Sequence, residues 1–277
     1  MNLRCQKFPQ QKRGRTMILG STQNKVDFAI ISAIPVELDY INSILPEGEK
    51  VRTEIGDFKI CDYNGNKVLV SPLGMGTTNA AAMMASIKFL FAPDYFLFAG
   101  TAGGINSCLN VGDVVIAASA FEAEIQGAFP ILRGTAFEGA LIHPIKEMPL
   151  QEHYLMDFGL TDLIADLALE STNLPKNIQI HRGIIVTTNT FPSPSSLFKQ
   201  IQAQKPLALD METSAIYQTA WLLNTKAIVV RGISNMLDAK GNEDKTQKTD
   251  VAGSSKNAGK ILLCILDKLI KQITVDS

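Results

Sequence analysis

Glu212 closes the segment Leu209-Asp210-Met211-Glu212, between a strand-like run and a helix-like one. A carboxylate in such apolar surroundings needs a stated partner if it is buried. That partner can be internal, or it can be a ligand with neighbouring hydroxyls, since one carboxylate accepts two charge-assisted hydrogen bonds at once. Arg231, in the apolar stretch Val229 to Asn235, has the chemistry of an internal partner. Glycine supplies the second signal. Gly74-Met75-Gly76, Gly100 to Gly104 and Gly253 to Lys260 are three places where a strand or helix meets glycine. In α/β folds such strand ends turn backbone N–H groups and helix starts toward an open crevice. No cofactor motif is completed: Asn79 stands where a dinucleotide fingerprint needs glycine, and the 253–260 segment has one residue too many before Gly259-Lys260 for a phosphate loop. On their own these glycines read as turns.

The elements that must position these groups follow from the periodicity. Val26 to Ala33 is a short apolar run, and Pro35 opens a helical stretch to Leu45. Phe58 to Tyr63 and Lys67 to Ser71 flank Asn64-Gly65-Asn66, a hairpin signal because Asn and Gly tolerate positive φ. A helix is expected over 79–91, and a strand over 95–99 that ends at Gly100. Further strands are expected over 114–118, 179–186, 207–210 and 227–233. Helices are expected near 161–170, over 213–223 and over 252–273; Ile261, Leu262, Ile265, Leu266, Leu269 and Ile270 give the last one an apolar face. Alternating strands and helices predict an α/β fold, a single domain over 26–277 with a mixed central sheet flanked by helices. Residues 1–25 carry six basic and no acidic residues and are expected to be a disordered extension outside the fold. The polar run 238–250 is expected to be a solvated loop.

Composition excludes several classes. The formal charge of −1 over 277 residues favours neither a nucleic-acid backbone nor an anionic membrane, so a small molecule is the expected partner. No apolar run reaches the length of a membrane span. Cys5, Cys61, Cys108 and Cys264 are far apart and suit a reducing, cytoplasmic setting. His143, His153 and His181 are too scattered for a metal cluster, and neither a metal nor another cofactor is expected.

Six motifs in order resemble the nucleoside phosphorylase and methylthioadenosine/S-adenosylhomocysteine nucleosidase superfamily. They are IISAIPVEL at 30–38, GMGTTNAA at 74–81, GTAGGI at 100–105, VGDVV at 111–115, LDMETSAI at 209–216 and VVRGISN at 229–235. The resemblance implies cleavage of a purine nucleoside at its N-glycosidic bond. It implies Glu37 as the water-activating base, although Pro35 and Val36 replace the acidic residues usual beside it. It implies Met211 and Glu212 as the ribose grip, Phe191 as the base-stacking ring and Arg231 near the reaction centre. Gly76, Ala102 and Gly103 would line the substrate site. Read as residues alone, Met211 and Phe191 also fit a core, Glu37 an exposed helix and Arg231 a purely structural partner.

The resemblance breaks at one position. The family's acid is usually Asp, and this chain has Asn235. A carboxamide cannot deliver a full proton, but its NH₂ can donate to purine N7 and to an O6 carbonyl. That suggests a 6-oxopurine, as in inosine or futalosine, and Asn235 resembles futalosine hydrolases; the other reading is a methylthioadenosine- or S-adenosylhomocysteine-like substrate. Asp238, three residues on, is the alternative acid if its loop turns inward. The stretch Ser32 to Glu37 carries no basic residue for a phosphate, so water is the expected acceptor. A phosphate-dependent phosphorylase and a noncatalytic nucleoside-binding relative are the competing readings. The resemblance also implies a homodimer, or a larger assembly, in which a neighbour helps to build the 5′ side of the pocket beside residues 121–158.

Overall fold

The computed structural model describes residues 25–124, 154–155, 179–192 and 194–276. The expected helix at 161–170, His143, His153 and nearly all of the basic extension and of the 121–158 segment lie outside the described residues.

The chain opens with strand β1 (Phe28–Ser32), then a 3₁₀ turn over Pro35–Leu38 that runs into α1 (Asp39–Ile44). Strands β2 (Glu49–Thr53), β3 (Gly56–Tyr63) and β4 (Asn66–Pro72) follow, then α2 (Thr77–Phe91), β5 (Tyr95–Gly104) and β6 (Val114–Glu122). After β7 (Tyr154–Leu155) and β8 (Ile180–Thr187) come α3 (Ser195–Ala203), β9 (Ala208–Asp210), α4 (Thr213–Leu222), β10 (Lys226–Met236) and α5 (Val251–Asp276).

All five residues of β1 are buried, as a strand flanked on both sides by parallel neighbours requires; β4 and β5 are those neighbours. Each fully buried Ile or Phe there contributes roughly 1.5–3 kcal/mol of transfer free energy before conformational entropy is charged against it. The β3–β4 hairpin turns at Asn64 and Gly65, with φ of 50° and 78°, the double positive φ that the Asn-Gly pair was expected to supply. Parallel and antiparallel pairings mix: β5 runs parallel to β1 and β10, whereas β10 runs antiparallel to β6. Pairings also close a ring, β5 to β10 to β6 to β8 to β9 and back to β5. Helix α5 packs on β10 and β5 and against α1, and α2 packs on α4.

The fold class expected from the alternation is the one observed. Three local readings differ. Gly100 to Gly104 is not a turn: β5 continues through it, paired with β10 along its whole length. The absent side chains leave room for those of neighbouring elements, because a Cβ at Gly103 would stand 3.1 Å from Leu237 and one at Gly104 would strike Met236. Strand β2, an exposed edge of charged residues, and helix α3 were not read at all.

Candidate active site

Glu37 is the third residue of the 3₁₀ turn and is 3 % exposed, so it is neither helical surface nor free. Its Oε2 reaches back to accept the backbone N–H groups of Ala33 (3.1 Å) and Ile34 (3.3 Å), satisfying donors at the start of the turn. Its Oε1 accepts the backbone N–H of Thr101 (2.7 Å) and the Thr101 hydroxyl (3.0 Å). Thr101, in the glycine-rich half of β5, therefore connects the first turn to the centre of the sheet. Its carbonyl accepts from Arg231 Nη1 at 3.3 Å. Gly100 makes this approach possible: a Cβ there would overlap Arg231 Nη1 and stand 3.1 Å from Glu37 Oε1.

Arg231 is wholly buried in β10, with its guanidinium 4.2 Å from the centre of the Phe98 ring. Its Nη2 lies 2.6 Å from Asp210 Oδ2 and 3.0 Å from Glu212 Oε2. Burial pulls the Arg231 pKa down, but Asp210, Glu212 and Glu37 outweigh it and hold the guanidinium above its ordinary value. Glu212 has a second anchor, the Gly76 backbone N–H, which donates to Oε1 at 2.8 Å. Burial raises the Glu212 carboxyl; the Arg231 charge opposes that shift and the Asp210 charge adds to it. Three carboxylates thus surround one guanidinium.

The Gly76 loop is held from the other side by Asn189. Its amide oxygen accepts the Thr77 N–H (3.1 Å) and its amide nitrogen donates to the Thr77 hydroxyl (2.7 Å). This brings the segment that carries Phe191 to the loop that carries Met75. Both apolar side chains are open to solvent, 49 % and 59 % exposed, so Phe191 is not core. Met211 is half-buried between Asp210 and Glu212.

At the far end of β10 the pairing with β5 skips from Ile233 to Asn235, a bulge centred on Ser234. Bulges re-aim the side chains around them. The displaced carbonyls are satisfied by the start of α5: the Ser254 hydroxyl donates to Ile233 O (2.7 Å) and the Asp250 N–H to Ser234 O (2.8 Å). The Ser234 hydroxyl lies 2.9 Å from Asn235 Oδ1 and 3.4 Å from the carbonyl of Ala102. Donation to Oδ1 leaves the half-buried Asn235 with its NH₂ as the outward donor. Asp238 does not turn inward as the alternative acid. Its Oδ1 accepts the backbone N–H groups of Lys240 (2.8 Å) and Asn242 (3.0 Å), and these bonds hold its carboxyl below the usual range. A carboxylate so held is a turn acceptor and a poor proton donor.

A family model described as the phosphorylase superfamily matches residues 27–271. The chain belongs to that superfamily. A 5′-methylthioadenosine/S-adenosylhomocysteine nucleosidase of Geobacillus is 28 % identical over 245 residues, which is 88 % of this chain and 99 % of the relative. Among solved structures, a putative nucleosidase of the same description from Francisella philomiragia superposes with a TM-score of 0.71 at 20 % identity, covering 87 % of this chain and 98 % of the other. A futalosine hydrolase of Helicobacter pylori also gives 0.71, at 18 % identity, over 90 % of this chain and all of the other. At these identities the superpositions speak for the phosphorylase fold.

Hydrogen bonds therefore join Glu37, Arg231, Glu212 and Gly76, four of the residues named from sequence, and β5 adds Ala102 and Gly103 beside Ile233 and Asn235. Sequence reading missed Thr101, Asp210, Asn189 and Ser234. Asp210 left a signal, because it is a second acidic residue two positions from Glu212 in the same apolar run. Among the described residues no group of three His, Cys, Asp or Glu is arranged to hold a metal, and no helix is long and apolar enough to cross a membrane. A depression of about 360 Å³ lined by Leu38, Asn42, Lys50, Asp57 and Lys59 shares none of the site residues.

Proposed function

We propose that this phosphorylase-superfamily member hydrolyses the N-glycosidic bond of a purine nucleoside and releases the free base. The observation that carries the reading is the buried constellation in which Thr101 and Arg231 connect Glu37 to Glu212. The departing base leaves positive charge on the sugar at C1′, as in glycoside cleavage generally. Glu212 accepts one donor on each oxygen, which leaves lone pairs for the 2′- and 3′-hydroxyls of a ribose. A carboxylate held there also stabilises the oxocarbenium ion. Glu37 takes the proton of the attacking water, exchanging the rotatable Thr101 hydroxyl for that water; the C1′–N9 electron pair leaves with the base as an anion, which the Asn235 NH₂ stabilises and which then takes a proton from solvent. General-base assistance of this kind is worth roughly 10²–10⁴-fold. Phe191 stacks on the base.

The base is a 6-oxopurine in this reading, because the Asn235 NH₂ would donate to N7 and O6, and an adenine amino group would offer it a donor instead of an acceptor. The named futalosine hydrolase relative supports this choice, and the named methylthioadenosine nucleosidases support hydrolysis. A nucleoside panel tests both parts: hypoxanthine release from inosine or futalosine should exceed adenine release from methylthioadenosine. The sugar product should be ribose with or without phosphate present. Ribose 1-phosphate in the phosphate arm would replace the hydrolytic reading with the phosphorolytic one.

The acting form is proposed to be a cytoplasmic homodimer. Exposed Met75 and Phe191 lie on two segments tied together through Asn189 and Thr77, giving a second copy an apolar rim to cover. Cys61, Cys108 and Cys264 are free thiols, which suits a reducing compartment.

A further inference from the structure

We propose that Asp210 is a positioning residue of this site: it takes the closer share of Arg231 and so leaves Glu212 an incompletely neutralised carboxylate facing the sugar. The inference rests on the hydrolytic reading above.

Geometry separates the two carboxylates. Asp210 is 4 % exposed and its oxygens are fully engaged. Oδ1 accepts the Thr187 hydroxyl (2.7 Å) and the backbone N–H groups of Glu212 (3.3 Å) and Thr213 (3.2 Å). Oδ2 accepts the Thr213 hydroxyl and faces Arg231 Nη2 at 2.6 Å. No lone pair remains for substrate, so Asp210 acts through its neighbours. Glu212 is the residue at the N-cap of α4, yet its side chain makes no capping bond. Asp210 supplies that cap from two residues upstream, through the Thr213 N–H. This frees the Glu212 side chain from the usual duty of its position.

Charge completes the argument. One guanidinium faces Asp210 and Glu212, with Glu37 within its electrostatic reach. With Asp210 ionised, the cluster of Arg231, Asp210, Glu212 and Glu37 is net negative and favours an oxocarbenium ion. With Asp210 neutral, Arg231 would fall wholly to Glu212 and offset the charge that the transition state needs.

The test is Asp210→Asn in the full chain, with the pH profile of kcat/KM recorded beside kcat and KM. The expected result is a kcat lower by about 10–100-fold, with KM changed by less than about threefold, the pattern of an interaction made in the transition state. The acid limb should also move to lower pH, because the negative neighbour that raises the Glu212 carboxyl is gone. Asp210→Glu keeps the charge and moves it by one methylene; kcat should fall while the acid limb stays in place. That variant gives the readout even where Asp210→Asn folds poorly. Wild-type kcat in either variant, or an Asp210→Asn acid limb that does not move, overturns the proposal. A wild-type protein that releases no base from any nucleoside removes the hydrolytic reading, and this proposal with it. An active wild type matched by its variants removes this proposal alone.

Discussion

Asn235 decides chemistry by what it lacks. Its NH₂ is a hydrogen-bond donor that does not act as an acid, because a carboxamide does not ionise as a carboxyl does. Asn235→Asp restores a group that can protonate N7, and the Ser234 hydroxyl at 2.9 Å remains to hold it. The expected outcome is that the ratio of adenine to hypoxanthine release rises by about tenfold or more, because a site built to hydrogen-bond one pattern leaves polar groups unpaired against the other. An unchanged ratio in a competition assay would mean that Asn235 does not read the base. At this scale much of the site was legible in the sequence. Glu212 and Arg231 were each suspect because charge in apolar sequence demands a partner, and each has the other. Thr101 and Ser234 were not legible, since a hydroxyl in a strand has many ordinary uses and nothing in its type or spacing says which carboxylate or amide it will meet.

The elements show where periodicity carries information and where it does not. Apolar runs located β1, β8 and β10, and Asn-Gly located the β3–β4 hairpin. Glycine misled at 100–104, because a strand whose partners fill its missing side-chain space looks like a turn when those partners are out of view. What Gly100 supplies is room over β5 for the Arg231 guanidinium. Gly100→Ala should therefore lower kcat by about 100-fold or more, through displacement of Arg231 and Glu37 together. It should also destabilise the fold by about 1–3 kcal/mol, the usual range for overpacking. Steady-state kinetics and thermal melts on the same preparation check the pair of effects. A variant that melts lower and keeps its kcat would show that Arg231 tolerates the shift.

For the whole molecule, the alternation of strands and helices was enough to name the class, but the ring of pairings was not legible, because which strands meet depends on contacts far apart in the chain. The exposed rim at Met75 and Phe191 predicts that light scattering will give twice the 30.1 kDa chain mass. Replacing both residues with Ser should shift the particle toward a single copy; a monomeric parent protein would leave the rim without its proposed cover. The closed circuit of β5, β10, β6, β8 and β9 has a further effect. Thr101 and Arg231 sit inside a belt of backbone pairing whose strands cannot fray one by one. Native-state hydrogen exchange should find the Arg231 amide among the last to exchange, and those of Gly76, Asn189 and Phe191 far earlier. The geometry of Glu37, Arg231 and Glu212 would then be as durable as the fold itself, while the Gly76 and Asn189 segments beside it would open without unfolding it.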